Sequence, residues 1–184
     1  MKGLSELIEI ARSLPEKKIA LAGANEVDSL LAVERARVEG LADTILVGNT
    51  DKIRHTADKT GIDISNFELV REKNEETVSQ TAIRIIKEGR ADALMKGFVP
   101  TADIMRAILD RESGLLEAKL LSHFALFEIP RYPKLLGITD AGINISPGLE
   151  EKIAIAENAI SIFHKLGIDN PKIACVCPVE KVNP

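Results

Sequence analysis

Short apolar runs alternate with amphipathic stretches along most of this chain. Lys18-Ile-Ala-Leu-Ala22 reads as a buried strand ending at Gly23. From about Glu26 to Glu39, Val27, Leu30, Leu31 and Val38 build one apolar helical face, which Gly40 closes. Thr44-Ile-Leu-Val47 gives a second strand ending at Gly48, and residues 51–59 give the next helix. Phe67-Glu-Leu-Val70 is a third strand. Asn74 is a natural N-cap for a helix carrying Val78, Ala82, Ile85 and Ile86, which Gly89 stops. Ala93-Leu-Met95 is the fourth strand, followed by a Lys96-Gly97 turn and a helix opening at Pro100-Thr101.

This alternation predicts right-handed βαβ crossovers and a mainly parallel sheet, an α/β chain with three layers, α/β/α. In such sheets ligands gather at the carboxyl ends of strands, near a switch in strand order. Gly23, Gly48 and Lys96-Gly97 all fall at predicted strand ends.

The rhythm changes after Asp110. Residues 111–121 read as a connection, and residues 123–129 and 135–139 as two strands separated only by Pro130-Arg-Tyr-Pro133-Lys134. So short a link permits an antiparallel hairpin, whereas a parallel pair needs a longer crossover. A domain boundary is placed near residue 117, giving a first α/β domain over 1–117 and a partial second one over 118–184. Ser146-Pro147 opens a long helix with Leu149, Ile153, Ala156, Ile160 and Phe163 on its face, and Gly167 ends it. Lys172-Ile-Ala-Cys-Val-Cys177 is the final predicted strand.

Composition narrows the function classes. The chain has 184 residues, 45% hydrophobic and 28% charged, as in ordinary globular domains. Aromatics are only 3%, too few for a platform that stacks single-stranded nucleic acid. A net charge of −4 gives no general attraction to nucleic acid or an anionic membrane, so anionic ligands must be caught by a few placed cations and amides. No apolar run is long enough to span a bilayer, and no signal-peptide core opens the sequence. Cys175 and Cys177 fit small buried hydrophobes on one strand face better than a disulfide framework, which points to a reducing cytoplasm.

The chemistry concentrates at Lys96-Gly97-Phe98-Val99-Pro100-Thr101 and at Arg106. A cation, a flexible backbone and helix N-terminal amides at one sheet edge are the groups that hold a phosphate. Gly97 lets the backbone approach a ligand, Thr101 is a natural N-cap, and Arg106 leans back toward the helix start with a guanidinium that grips two oxygens. The same residues also fit a surface turn with an ordinary cap and a solvated arginine. Asp140, Gly142 and Asn144 follow a predicted strand and fit either ligand contacts or Asx turns that brace their own loop. His123 fits a buried, hydrogen-bonded histidine better than a catalytic base, and Arg131 a solvated loop charge. His55 and His164 stand on helices with no acidic or thiol cluster at metal spacing, so no metal site is predicted. No G-x-x-x-x-G-K-[ST] loop, dinucleotide fingerprint or G-x-S-x-G elbow occurs.

Leu94-Met-Lys-Gly-Phe-Val-Pro-Thr-Ala-Asp-Ile-Met-Arg-Ala-Ile-Leu109 resembles the phosphate acetyl/butyryltransferase family, most closely its phosphate butyryltransferase branch. Leu121-Ser-His-Phe-Ala-Leu-Phe-Glu-Ile-Pro130, Leu136-Gly-Ile-Thr-Asp-Ala-Gly-Ile-Asn-Ile145 and Val179-Glu-Lys-Val-Asn-Pro184 add to the likeness, in the expected order. The resemblance implies reversible transfer of a short acyl group between CoA and inorganic phosphate, giving acyl phosphate, with CoA as substrate and no other cofactor. It implies a fold like isocitrate and isopropylmalate dehydrogenases, two domains flanking a cleft, and a homodimer. It would set Lys96, Gly97, Thr101 and Arg106 at the phosphate and thioester end, and Asp140 and Asn144 in the facing domain. Family members continue past Val182-Asn-Pro184, so the resemblance also implies an incomplete second domain and missing residues that activate the CoA thiol. A noncatalytic ligand-binding domain is the alternative. A dehydrogenase of the same fold is disfavoured by the absent nucleotide and metal motifs.

Overall fold

The structure, a computed structural model, describes residues 3–74 and 76–176. It begins with a helix, α1 (Leu4–Ser13), where no element is expected from the sequence; none of its residues is buried. The chain divides into two compact units, one of Leu7–Glu117 and one of the described parts of 1–6 and 118–184.

In the larger unit, β1 (Lys17–Ala22), β2 (Ala42–Gly48), β3 (Glu68–Arg71) and β4 (Ala93–Lys96) form a parallel sheet in the order β3-β2-β1-β4. Strand alternation sorts the side chains. Ala20 and Ala22 of β1 lie with Ile45 and Val47 of β2 against Val78, Ala82 and Ile85 of α4 (Val78–Lys87) and Ile104 of α5 (Thr101–Ile108). Leu21 and Leu46 point to the other face, against Leu30 and Val33 of α2 (Val27–Val38) and Ile53 and Ala57 of α3 (Thr50–Thr60). Helices therefore cover both faces, as buried parallel strands require. Alanines at positions 20 and 22 let α4 approach the sheet closely.

This topology sets the switch point. β1 leads through α2 to β2 on one side, whereas β4 returns through α4 to the other side of β1. The crevice between the carboxyl ends of β1 and β4 is where ligands collect in such sheets.

Two helix starts differ from expectation. Thr77, not Asn74, stands at the N-cap of α4. Asn74 instead forms a turn just before it: its Oδ1 accepts from Glu76 N, and its carbonyl accepts from Thr77 N. Thr101 is the first residue of α5, with Pro100 at the N-cap and no side-chain cap. Pro100 has the extended backbone a cap position needs, so the helix begins one residue earlier than the hydroxyl implied.

In the smaller unit, β5 (Ala125–Phe127) and β6 (Leu136–Ile138) pair antiparallel, as the short link predicts. α6 (Leu149–Lys165) packs an edge-on Phe163 against Phe124, ring centroids 5.6 Å apart. It is capped at Gly148, whose amide donates to Glu151 Oε2 at 2.7 Å, not opened at Ser146-Pro147. The expected final strand is absent among its described residues, 172–176, and Cys175 is exposed rather than buried. An apolar run becomes a strand only by exchanging hydrogen bonds with a neighbour, and no described strand borders this one. Cys177 and Val179 to Pro184 lie outside the described residues.

Candidate functional site

β4 delivers Lys96 to its carboxyl end, and the chain turns at once into α5. Lys96 is exposed, and its Nζ lies 3.3 Å from the carbonyl of Gly97. The next residues are pinned: Gly97 N donates to Ala22 O at 2.8 Å and Phe98 N to Gly23 O at 2.7 Å. Val99 is buried beneath, whereas the Phe98 side chain is exposed. α5 opens without a side-chain cap; Asp103 N donates to Pro100 O at 3.1 Å, which leaves the Thr101 and Ala102 amides and the positive dipole end to suit an anion.

Arg106 leans back toward that end, as expected, but it is engaged on the way. Its Nη1 donates to Asp103 Oδ1 at 2.8 Å. The guanidinium stays largely in solvent, so it holds this partner loosely. Asp103 is the residue that the search for cations and caps misses. Its position three residues before Arg106 on a helix is the signal that finds the pair.

Gly97 has a packing role. It is buried, and a Cβ built on it would lie 2.4 Å from the carbonyl oxygen of Gly23. Its lack of a side chain serves the packing of two strand ends.

Asp140 and Asn144 lie in the smaller unit and are bound to their own loop. Asp140 Oδ1 accepts from Gly142 N and Ile143 N, both at 3.0 Å, and Oδ2 accepts from Asn144 N at 3.2 Å and Asn144 Nδ2 at 2.5 Å. Burial pushes the Asp140 carboxyl up, but the Gly142 and Ile143 amides, the Asn144 side chain and the His123 amide outweigh it and hold it at about 2. Asn144 Nδ2 also donates to Leu121 O at 3.0 Å. Both donors of that amide are thus used, and among the described residues its Oδ1 accepts from none.

The remaining sequence candidates separate. His123 is half-buried, yet its Nδ1 has no partner among the described residues, so the expected hydrogen-bonded ring is not formed. His164 Nε2 lies 3.1 Å from Asp169 O. Arg131 sits exposed in the hairpin loop with a left-handed φ of 69°. Among the described residues, no three His, Cys, Asp or Glu side chains gather where a metal could be held. Two surface hollows, one along α6 near Glu157 and His164 and the other around Asp58, Asp63 and Phe67, do not have Lys96 in their lining.

Comparison with known proteins decides the family. The family described as Phosphate acetyl/butaryl transferase matches residues 4–87 and 74–184. The chain belongs to the phosphate acetyl/butyryl transferase family. It is similar to the phosphate butyryltransferases of Clostridium acetobutylicum, 41% identical over 100% of this chain and 61% of that protein, and of Clostridium beijerinckii, 37% identical over 99% and 60%. Among solved structures it resembles a branched-chain phosphotransacylase from Enterococcus faecalis V583, with a TM-score of 0.77 and 30% identity, covering 91% of this chain and 58% of that one. The chain therefore spans about three fifths of the length of the relatives it matches.

Proposed function

We propose that this protein catalyses reversible transfer of a short acyl group between CoA and inorganic phosphate, with butyryl the reference acyl group. The observation that carries the reading is the exposed Lys96 at the β1–β4 switch, beside the uncapped amides of α5, in a chain of this family. Lys96, Gly97, Thr101 and Arg106 form the phosphate side of the reading. Asn144 Oδ1, open to a donor, supplies a further substrate contact, and Asp140 fixes that amide.

In the forward direction a phosphate oxygen attacks the thioester carbonyl. The C–S bond breaks, and CoA leaves as thiolate while the acyl group stays on phosphate. No covalent enzyme intermediate and no metal or organic cofactor is required. The chain positions two reactants and supplies positive potential where negative charge develops on the carbonyl oxygen. Lys96 and the α5 amides suit that task, and Arg106 orients phosphate once it leaves Asp103. We further propose that the protein works as a homodimer in the cytoplasm, where an exposed thiol such as Cys175 stays reduced.

The test is to mix the chain with butyryl-CoA and follow free thiol and acyl phosphate. Equal amounts of both, rising with phosphate, support acyl transfer. Binding of phosphate or butyryl-CoA with no thiol released would make the chain a noncatalytic ligand-binding domain instead.

A further inference from the structure

The carboxyl ends of β1 and β4 meet without side chains. A Cβ on Gly97 would fall 2.4 Å from Gly23 O and 3.1 Å from Ala22 O. A Cβ on Gly23 would fall 2.6 Å from Phe98 O and 2.9 Å from Val99 Cγ1, and Gly23 has a φ of +78°. The two glycines thus exclude side chains reciprocally, and the nearest obstacle to each is a backbone carbonyl that cannot swing aside. Four hydrogen bonds lock the contact. Gly97 N and Phe98 N donate to Ala22 O and Gly23 O, while Gly23 N and Ala24 N both donate to Val47 O, at 2.9 and 3.2 Å. Gly23 therefore ties the loop after β4 to the end of β2 across β1.

Lys96 is the residue before this contact, and Pro100, at the cap of α5, lies three residues after it. Any shift at Gly97 and Phe98 moves both the ammonium and the helix amides. We infer that Gly23 is a positioning residue: with Gly97 it forms a side-chain-free interlock that fixes Lys96 and the start of α5 relative to each other. The consequence for phosphate rests on the function proposed above; the interlock itself does not.

Other glycines supply the controls. Gly40 has nearly the same left-handed φ, +67°, with nothing within 4 Å, so Gly40→Ala adds backbone strain alone. A Cβ on Gly114 would overlap Asp110 O and Ile108 O, both at 2.3 Å, but in a turn beyond α5. Gly114→Ala thus adds an overlap as severe as Gly97→Ala, away from Lys96.

Amide hydrogen exchange on the 184-residue chain reads the interlock directly. In the parent, the Gly97 and Phe98 amides should exchange at least tenfold more slowly than unprotected amides, although they belong to no strand or helix. Gly97→Ala and Gly23→Ala should speed both at least tenfold, whereas Gly40→Ala and Gly114→Ala leave them unchanged. Unprotected amides in the parent overturn the proposal without any variant, and so does parental protection in a folded Gly97→Ala chain. The same chains are then titrated with inorganic phosphate by ³¹P NMR. Weakening by tenfold or more in Gly97→Ala, with parental affinity in Gly114→Ala, ties the interlock to the anion. Equal affinity in all four variants overturns the positioning role. If the parent binds no phosphate, the functional reading fails while the exchange data still decide the interlock.

Discussion

Arg106 Nη1 lies 2.8 Å from Asp103 Oδ1, one turn back along α5. The Arg106 guanidinium is therefore already shared with a carboxylate, and under the proposed function an incoming phosphate has to compete with it. Arg106→Ala is expected to raise the phosphate KM or lower kcat tenfold or more in phosphate-dependent thiol release. Asp103→Asn should lower that KM severalfold. The Arg106 side chain is 75% exposed, so losing the pair costs no more than about 0.5 kcal/mol, and thermal unfolding separates a kinetic effect from misfolding.

Asp140 makes the smaller unit sensitive to acid. Its folded carboxyl stands at about 2 against an ordinary 3.8, so its contribution is fully present above that ordinary value and is lost as pH falls from 3.8 through about 2. After discounting for the solvent around a partly exposed group, the loss is about 1 kcal/mol. Asp140→Ala strands the loop amides at every pH and should destabilise by roughly 1–3 kcal/mol. Acid titrations of the parent and variant by circular dichroism should differ in slope only below about pH 4.

Asn49 caps α3 from its side chain, whose oxygen accepts from Asp51 N and Lys52 N, both at 3.1 Å. Asn49→Ala should cost about 1 kcal/mol in urea unfolding. Asn74→Ala, at the position the sequence favoured as a cap, removes a turn bond outside α4 and should cost clearly less.

Thr44 is fully buried in β2, and its Oγ1 finds no partner among the described residues. A buried hydroxyl without a bond carries its desolvation cost uncompensated. Thr44→Val should therefore stabilise the chain by about 1 kcal/mol, read as a higher urea midpoint with unchanged slope. A lower midpoint would show that the hydroxyl is satisfied.

The alternation of Ile45, Leu46 and Val47, and the helical spacing of Val78, Ala82 and Ile85, made the parallel sheet legible because both patterns reflect burial directly. Asn74 misled because several polar residues stand in a row from 73 to 77, and Thr101 because backbone conformation, not residue type, picks the cap. The helical spacing of Leu4, Leu7, Ile8 and Ala11 was the signal for α1, although none of its residues is buried. The strand expected at 172–177 depended on a neighbour that residue types cannot specify. Lys96 and Arg106 were legible as cations on the loop and helix. The hold of Asp103 on Arg106 follows from their i,i+3 spacing once the helix is placed, whereas that of Gly23 on Gly97 comes from three-dimensional contact that no motif encodes.

The most direct measurement is phosphate-dependent thiol release from butyryl-CoA by the parent chain and by Lys96→Ala, both checked for folding. The predicted result is release that rises to saturation with phosphate in the parent and falls at least tenfold in Lys96→Ala, with acyl phosphate formed in equal amount. Release that does not depend on phosphate, or that Lys96→Ala leaves untouched, would contradict the account.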